Sequence, residues 1–137
     1  MKLIDKAREI FGHDRYATEL TDVEITAVGD HEAACTLTIT PAHCNARDVA
    51  MGGVLFTLAD FCAAVACNTE YIESGDLHWV SLDANIHFLS PALSGNTLTA
   101  HSTALKHGRT TALYQTIIES PDDGKRVAVV ETTMVKI

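Results

Sequence analysis

One long apolar segment limits the possible folds of this chain more than any other feature. Residues 49–69, VAMGGVLFTLADFCAAVACNT, contain a single charged side chain, Asp60. From Val54 onward the composition favours a helix, and apolar residues occupy most sides of that helix. We therefore predict a central helix over about residues 53–68 that is buried on nearly all sides and surrounded by the rest of the fold.

Asp60 is the candidate functional residue within this segment. A carboxylate that is buried without a partner in apolar surroundings costs several kcal/mol. Such groups cluster at functional sites, so Asp60 is a candidate catalytic residue. Two other interpretations stay open from the residues alone: a structural pairing of the carboxylate, or its exposure to solvent at an interface.

Length, composition and charge restrict the class of protein. A chain of 137 residues with 47% hydrophobic residues predicts a single compact domain over residues 1–137. The net charge of −8 disfavours nucleic acid and anionic membrane surfaces as partners, because both attract basic proteins. The apolar segment could span a bilayer by length, but a central Asp opposes insertion. Four cysteines without a CxxC pair, and no signal peptide, predict reduced thiols and a cytoplasmic location.

The residues on either side of the apolar segment alternate as β-strands do. An amphipathic pattern first predicts a short helix over about residues 2–12. The predicted strands are 22–27, 35–40, 80–88, 97–105, 111–119 and 127–137. The clearest alternation is that of residues 80–88, and turn residues such as Gly95-Asn96 and His107-Gly108 separate the later strands. Short connections imply antiparallel pairing, so we predict an α+β fold in which about six antiparallel strands wrap around the central helix.

Several short motifs follow one another through and beyond the apolar segment. They are Asn45, Met51-Gly52-Gly53, Leu58-Ala59-Asp60, Ala66-Cys67-Asn68, residues 86–92 with Gly95, residues 106–109, and Gly124. In this order and spacing they resemble the hotdog-fold thioesterases, and most closely the PaaI-like acyl-CoA thioesterases, over about residues 22–137. The resemblance implies a hotdog fold and a homodimer that assembles into a homotetramer. It also implies active sites between subunits, with the carboxylate of the central helix at that interface.

The resemblance further implies a thioester hydrolase whose partner is a small-molecule acyl-CoA substrate. In such an enzyme Asp60 acts as general base or nucleophile, and the N–H groups of Gly52 and Gly53 at the helix N-terminus stabilise the oxyanion. Asn45 is implied to hold the water or the thioester oxygen, and Ser81 of the partner subunit to orient the nucleophile or water. No cofactor is expected apart from the coenzyme A of the substrate, and no His or Cys spacing suits a metal site.

The resemblance also implies a binding region for coenzyme A, at a turn that carries two cations. Lys106 and Arg109 are physically suited to phosphate. The expected substrate-binding residues are Asp83, Phe88, Lys106, His107, Gly108, Arg109, Thr110 and Thr111, and Arg47 is a further candidate.

Met51 departs from the pattern of this branch, which usually has His before the two glycines. Methionine can neither donate a hydrogen bond nor carry a proton. We consider His43 and His87 as possible substitutes, although no spacing supports either. Two alternative functions therefore stay open: a non-catalytic protein that binds acyl-CoA or another amphipathic ligand, and a hydratase or dehydratase that pairs a His with a carboxylate.

Overall fold

A computed structural model describes residues 1–137 and confirms the α+β prediction. The helices are α1 (Leu3–Phe11) and α2 (Gly52–Cys67), and the strands are β1 (Glu24–Gly29), β2 (Glu32–Thr38), β3 (Trp79–Phe88), β4 (Thr97–His107), β5 (Thr111–Ser120) and β6 (Lys125–Lys136). The strands form one antiparallel sheet in the order β1-β2-β4-β5-β6-β3. Helix α2 lies against this sheet and supplies the centre of the hydrophobic core.

Small and branched side chains allow the sheet to pack closely around α2. Leu58, Cys62 and Ala66 are fully buried and lie four residues apart on the face that meets the sheet, and Ala59 beside them is also fully buried. Complete burial of a side chain such as Leu58 stabilises the fold by about 1.5–3 kcal/mol. This face therefore fixes the position of α2 inside the sheet.

The prediction that α2 is buried on nearly all sides is wrong along one face. A stripe at helical spacing is exposed or only half-buried, and it consists of Gly53, Phe56, Thr57, Asp60 and Ala64. The physical reason is that six strands curve around the helix without closing on its far side. Asp60 lies in this stripe, so its carboxylate is half-buried rather than enclosed in the core.

Asn68 connects the end of α2 to the beginning of β3. Its side-chain oxygen accepts hydrogen bonds from the N–H groups of His78 and Trp79 at 3.1 and 3.0 Å. Its amide nitrogen donates to the carbonyls of Ala64 and Trp79 at 2.9 and 3.1 Å. A buried amide whose hydrogen bonds are satisfied in this way holds β3 beside the helix.

Strand β3, which has the clearest alternation in the sequence, lies at an open edge of the sheet. It pairs with β6 on one side only, and nearly all its residues are exposed. Leu82, for example, is 62% exposed. A long edge strand with exposed apolar side chains is a ready surface for pairing with another chain.

Helix α1 covers the sheet near its other edge. Its buried residues Ala7 and Phe11 face the core, and the Phe11 ring meets the Phe61 ring edge-on with centroids 6.0 Å apart. The Arg8 side chain donates to the Ile25 carbonyl at 3.0 Å, which attaches α1 to β1. Neither α1 nor α2 is long and apolar enough to cross a membrane.

Candidate active site

The first turn of α2 presents two backbone N–H groups that have no acceptor within the chain. The Met51 N–H donates to the His43 carbonyl at 2.9 Å, and the Val54 N–H donates to the Met51 carbonyl at 2.9 Å. The N–H groups of Gly52 and Gly53, which lie between these two, make no hydrogen bond. The positive end of the helix dipole adds to their potential, so this helix start can bind a developing negative charge.

A cleft of about 430 Å³ lies beside this helix start and is lined by residues that include Asn45, Gly52 and Phe88. The Asn45 side-chain oxygen accepts hydrogen bonds from the backbone N–H groups of Arg47 at 2.9 Å and Val49 at 3.4 Å. Because the oxygen is occupied by its own loop, the amide nitrogen of Asn45 remains a free donor at the cleft. Asn45, Gly52 and Gly53 together form what we call the donor half-site.

Asp60 lies further along α2 and is paired with a serine of β3. The Ser81 hydroxyl donates to Asp60 Oδ1 at 2.8 Å, and the second carboxylate oxygen has no partner within the chain. The register of β3 on β6 shifts between Ser81 and Asp83, and such a bulge re-aims neighbouring side chains. We call Asp60 and Ser81 the acid half-site.

The origin of Ser81 differs from the arrangement that the family resemblance implied. Ser81 was expected to come from a partner subunit, whereas it binds Asp60 of its own chain. The physical reason is that Asn68 fixes the beginning of β3 at the end of α2, so Ser81 lies beside the second half of the helix.

The two half-sites are separated along the same helix. Gly52 and Asp60 are eight residues apart, which corresponds to about 12 Å at a rise of 1.5 Å per residue. Groups that act on one reacting atom lie about 3–3.5 Å from it. Within one chain, therefore, the donors and the carboxylate cannot act on the same carbonyl group.

The expected coenzyme A residues are only partly brought together in one chain. Strand β6 lies between β5 and β3, and Thr111 is aligned through Val135 with Val80. Phe88 lies eight residues further along β3, or about 26 Å from Val80 at 3.3 Å per residue. Asp83 and Phe88 therefore do not lie on a strand adjacent to the turn within one chain, because β3 joins the sheet through β6.

Phe88 instead lies beside the donor half-site, against Gly52. A Cβ atom added at Gly52 would lie 2.9 Å from the end of the Phe88 ring, so the ring packs directly on this glycine. Gly52 therefore leaves room for the close approach of this ring, in addition to presenting its N–H group.

The turn between β4 and β5 exposes two free cations. Lys106, Arg109, Thr110 and Thr111 are exposed, and neither Lys106 nor Arg109 forms an ion pair. A Cβ atom at Gly108 would lie 2.6 Å from the Thr111 carbonyl oxygen, so only glycine fits this tight turn. The turn can bind phosphate through charge and exposed hydroxyl groups.

Three histidines that were considered for a role in the site make contacts elsewhere. His107 stacks on His31 with ring centroids 3.8 Å apart, so its side chain is engaged within the chain rather than presented to a ligand. The ring of His43 accepts a hydrogen bond from the Thr40 N–H at 3.0 Å. His87 lies on exposed β3, 3.5 Å from the Asn85 amide. None of the three contacts Asp60, and Met51, which is 55% exposed, offers no polar group at the helix start.

Two structural contributions to the site were missed at the level of sequence. Asn68 was noted only as part of a motif, and its capping of both α2 and β3 follows from contacts across ten or eleven residues. The packing of His31, His107, Trp79 and Tyr114 involves residues from four strands or turns, and no local pattern reports it.

A six-stranded antiparallel sheet wrapped around one helix, with free donors at the helix start and a carboxylate on its open face, defines a PaaI-like protein of the hotdog fold. The chain belongs to the thioesterase superfamily, whose sequence profile matches residues 48–127.

Named relatives agree with this membership. Acyl-coenzyme A thioesterase PaaI of Escherichia coli (strain K12) is 31% identical over 113 residues, covering 82% of this chain and 76% of that protein. Human acyl-coenzyme A thioesterase 13 is 28% identical over 130 residues, covering 93% and 85% of the two chains. The solved structure of the E. coli PaaI protein superposes with a TM-score of 0.83 at 29% identity, covering 99% of this chain and 96% of that one.

Proposed function

We propose that this protein is an acyl-CoA thioesterase, which hydrolyses a thioester to a free acid and coenzyme A. The observation that carries the proposal is the pair of free N–H groups at the start of α2 together with the serine-bound carboxylate on the same helix. Thioester hydrolysis needs both a donor pair for the oxyanion and a carboxylate that activates or replaces water. The names of the E. coli and human relatives support the same chemistry.

The separation of the half-sites supports an active site that is built from two copies of the chain. Ser81 lies near the beginning of β3 and contacts Asp60, whereas Phe88 ends β3 and contacts Gly52. If two copies pair antiparallel along their β3 edges, the beginning of one strand lies beside the end of the other. Each acid half-site then meets the partner's donor half-site, and two-fold symmetry creates two equal sites. Assembly of such dimers into a homotetramer is part of this proposal.

The proposed reaction uses groups that the chain itself supplies. Water attacks the thioester carbonyl carbon while Asp60 accepts a proton, and the N–H groups of Gly52 and Gly53 stabilise the oxyanion. The carbon–sulfur bond then breaks, and the proton passes from Asp60 to the leaving thiolate of coenzyme A. In the nucleophilic route Asp60 attacks the carbonyl carbon, and the carbon–sulfur bond breaks to release the thiolate of coenzyme A and leave an anhydride on Asp60. Water then hydrolyses the anhydride to the free acid and the Asp60 carboxylate, and the proton released protonates the thiolate. In either route Ser81 holds one carboxylate oxygen and leaves the other free.

The turn at residues 106–111 is the proposed binding region for the phosphates of coenzyme A. It lies at the Ser81 end of the sheet, two strands from β3, or about 10 Å away at 4.8 Å per strand. Lys106 and Arg109 are the two unpaired cations of this region in a chain of net charge −8. A local cationic turn on an acidic protein favours a specific anionic ligand over nonspecific binding of polyanions.

Met51 favours one second candidate function, a protein that binds acyl-CoA without hydrolysing it. An exposed methionine at the start of α2 supplies neither a proton nor a hydrogen bond to the reacting group. The hydratase or dehydratase alternative has less support, because the partner of Asp60 is a serine rather than a histidine.

Four free cysteines support a reducing compartment such as the cytoplasm.

A panel of aromatic and aliphatic acyl-CoA esters, with detection of the released thiol, tests the proposed function. We expect turnover of at least one ester and a loss of about 100- to 10,000-fold in Asp60→Asn, the range contributed by a positioned acid or base. Asp122→Asn, in the exposed turn between β5 and β6, is the matched control and retains activity. Undiminished turnover in Asp60→Asn would refute the mechanism, and binding without turnover would support the second candidate.

A further inference from the structure

A compact group of rings lies beneath the turn that carries Lys106 and Arg109. His31, Trp79, His107 and Tyr114 form this group, which we call the ring cluster. The rings of His31 and His107 stack with centroids 3.8 Å apart and planes 22° apart. The Trp79 ring packs on the His107 ring with centroids 4.8 Å apart, and the Tyr114 ring meets the His107 ring edge-on with centroids 5.9 Å apart. The cluster therefore gathers the β1–β2 turn, β3, β4 and β5 around one imidazole.

The hydrogen bonds of His107 define which nitrogen carries the proton. Its Nδ1 lies 2.8 Å from the Tyr114 hydroxyl. Burial raises the pKa of Tyr114, so the hydroxyl keeps its proton. Nε2 lies 3.5 Å from Glu70 Oε1, and a carboxylate oxygen only accepts. We therefore assign the proton of the neutral imidazole to Nε2, so that Nδ1 accepts from the Tyr114 hydroxyl. Neutral His107 satisfies both neighbours at once.

A proton added to His107 disrupts this arrangement. Nδ1 would become a donor, so the Tyr114 hydroxyl would have to turn its own proton away and accept instead. A positive charge would also lie against the stacked His31 ring. Burial and the neighbouring His31 lower the pKa of His107, and the acidic groups oppose this shift only in part. The titratable groups that face His107 or its Tyr114 partner are His31, Asp30, Glu70 and Cys67.

Because His107 lies in the turn that carries Lys106 and Arg109, its protonation affects the position of that turn. His107 is the last residue of β4, between Lys106 and Gly108. Alternation along the strand directs His107 and Lys106 to opposite sides, so the ring enters the cluster while the lysine stays exposed. The rest of the turn is held by backbone bonds, from the Gly108 N–H to the Thr111 carbonyl and from the Lys136 N–H to the Thr110 carbonyl, both 2.9 Å. The ring of His107 is therefore the side-chain anchor of the turn.

We propose that neutral His107 is a positioning residue, which fixes the Lys106–Arg109 turn for the phosphates of coenzyme A and releases it when protonated. This inference rests on the proposed acyl-CoA function and adds a pH-dependent control of substrate affinity. The sign follows from the direction of the shift: because the pKa of His107 is lowered on folding, the anchoring is complete above the ordinary histidine value of about 6.5 and is lost as pH falls below it. The substrate KM accordingly rises in acid.

The test measures the binding of coenzyme A by calorimetry from pH 5 to pH 8, together with KM and kcat for a turned-over ester. Dephospho-coenzyme A serves as a second ligand, because it lacks the phosphate monoester, whose second pKa of about 6 falls in the same range. We expect the wild type to bind both ligands several-fold more weakly at pH 5 than at pH 7.5. An acid effect that vanishes with dephospho-coenzyme A would overturn the inference, since it would belong to the ligand.

Two variants of His107 and one control separate positioning from general stability. His107→Gln can still accept from Tyr114 and cannot be protonated, so we expect near wild-type affinity at pH 7.5 and a flat pH profile. His107→Ala raises KM about tenfold at all pH values, with kcat changed less than threefold. His101→Gln, on an exposed position of the same strand, keeps the wild-type profile. An acid rise that persists in His107→Gln, or an unchanged KM in His107→Ala, would overturn the inference.

The binding measurement also separates this inference from the proposed hydrolysis. If the wild type binds coenzyme A with the expected pH dependence but turns over no ester, the positioning role stands and the thioesterase proposal fails. If it turns over esters with a KM that is independent of His107, the thioesterase proposal stands and the positioning role fails.

Discussion

Substitution of Gly52 by alanine gives the sharpest prediction for the donor half-site. The new Cβ atom would lie 2.9 Å from Phe88 Cζ and 3.3 Å from Cε1. Carbon atoms in contact prefer about 3.5–4.0 Å, so the ring must move by roughly 0.6–1 Å. The Phe88 ring lines the cleft beside the free N–H groups, and a misplacement of about 1 Å near reacting groups costs on the order of 100-fold in rate. This loss in kcat corresponds to about 2.7 kcal/mol.

The fold itself tolerates this change, which makes the prediction separable from unfolding. The contacting atoms are the far end of the Phe88 side chain, which can shift, and alanine is more favourable than glycine in a helix by about 0.5–1 kcal/mol. Gly53→Ala is the matched control, since its Cβ atom would meet only the Met51 methyl group at 3.7 Å. We expect the melting temperature to be maintained in both variants and kcat to fall at least tenfold further in Gly52→Ala. Equal kcat values in thiol-release assays would refute the reasoning.

Three other perturbations have defined outcomes. Lys106→Ala and Arg109→Ala should each raise KM about fivefold at low salt with kcat unchanged, and the difference from wild type should shrink with ionic strength because salt screens exposed charges. Asn68→Ala should lower the free energy of unfolding by about 2–4 kcal/mol in urea titrations, because the N–H groups of His78 and Trp79 lose their acceptor and the Trp79 carbonyl loses its side-chain donor near the core; a change below about 1 kcal/mol would contradict this. Met51→His should increase turnover if the missing imidazole limits catalysis, and unchanged turnover would mean that the backbone donors suffice.

Local patterns predicted the elements of this fold well, because each pattern reports burial by its period. The apolar segment gave a central helix within one residue of the start of α2, and alternation gave six antiparallel strands. The same reasoning failed for burial at the open side of the sheet. Residues 80–88 alternate like a strand with one buried face, yet β3 is exposed on both faces of the single chain. The alternation of these residues therefore has no counterpart in the burial of the single chain, and it fits the proposed pairing of two copies along this edge.

The candidate site was predictable in its residues but not in its arrangement. Asp60 stands out as a lone charge, and Gly52-Gly53 as a helix start, from composition alone. The Ser81 contact joins residues 21 positions apart, and only the family resemblance pointed to it. His107 was expected at the ligand because it lies in the turn, whereas its ring packs on residues distant in sequence. Proximity in sequence to a binding turn does not determine whether a side chain of a β-hairpin points toward the ligand.

Complementation between two inactive variants tests most directly whether one active site needs two chains. Asp60→Asn lacks the acid half-site and Gly52→Ala has a damaged donor half-site, so in the proposed assembly a homodimer of either variant has two defective sites. Random mixing of equal amounts gives about half heterodimers. In a two-fold dimer the acid half-site of each chain faces the donor half-site of the other, so each heterodimer has one intact site and one doubly defective site. After co-refolding, with heterodimers verified by mass spectrometry, we predict about a quarter of wild-type turnover. Turnover no greater than the mean of the two parents would contradict a shared site.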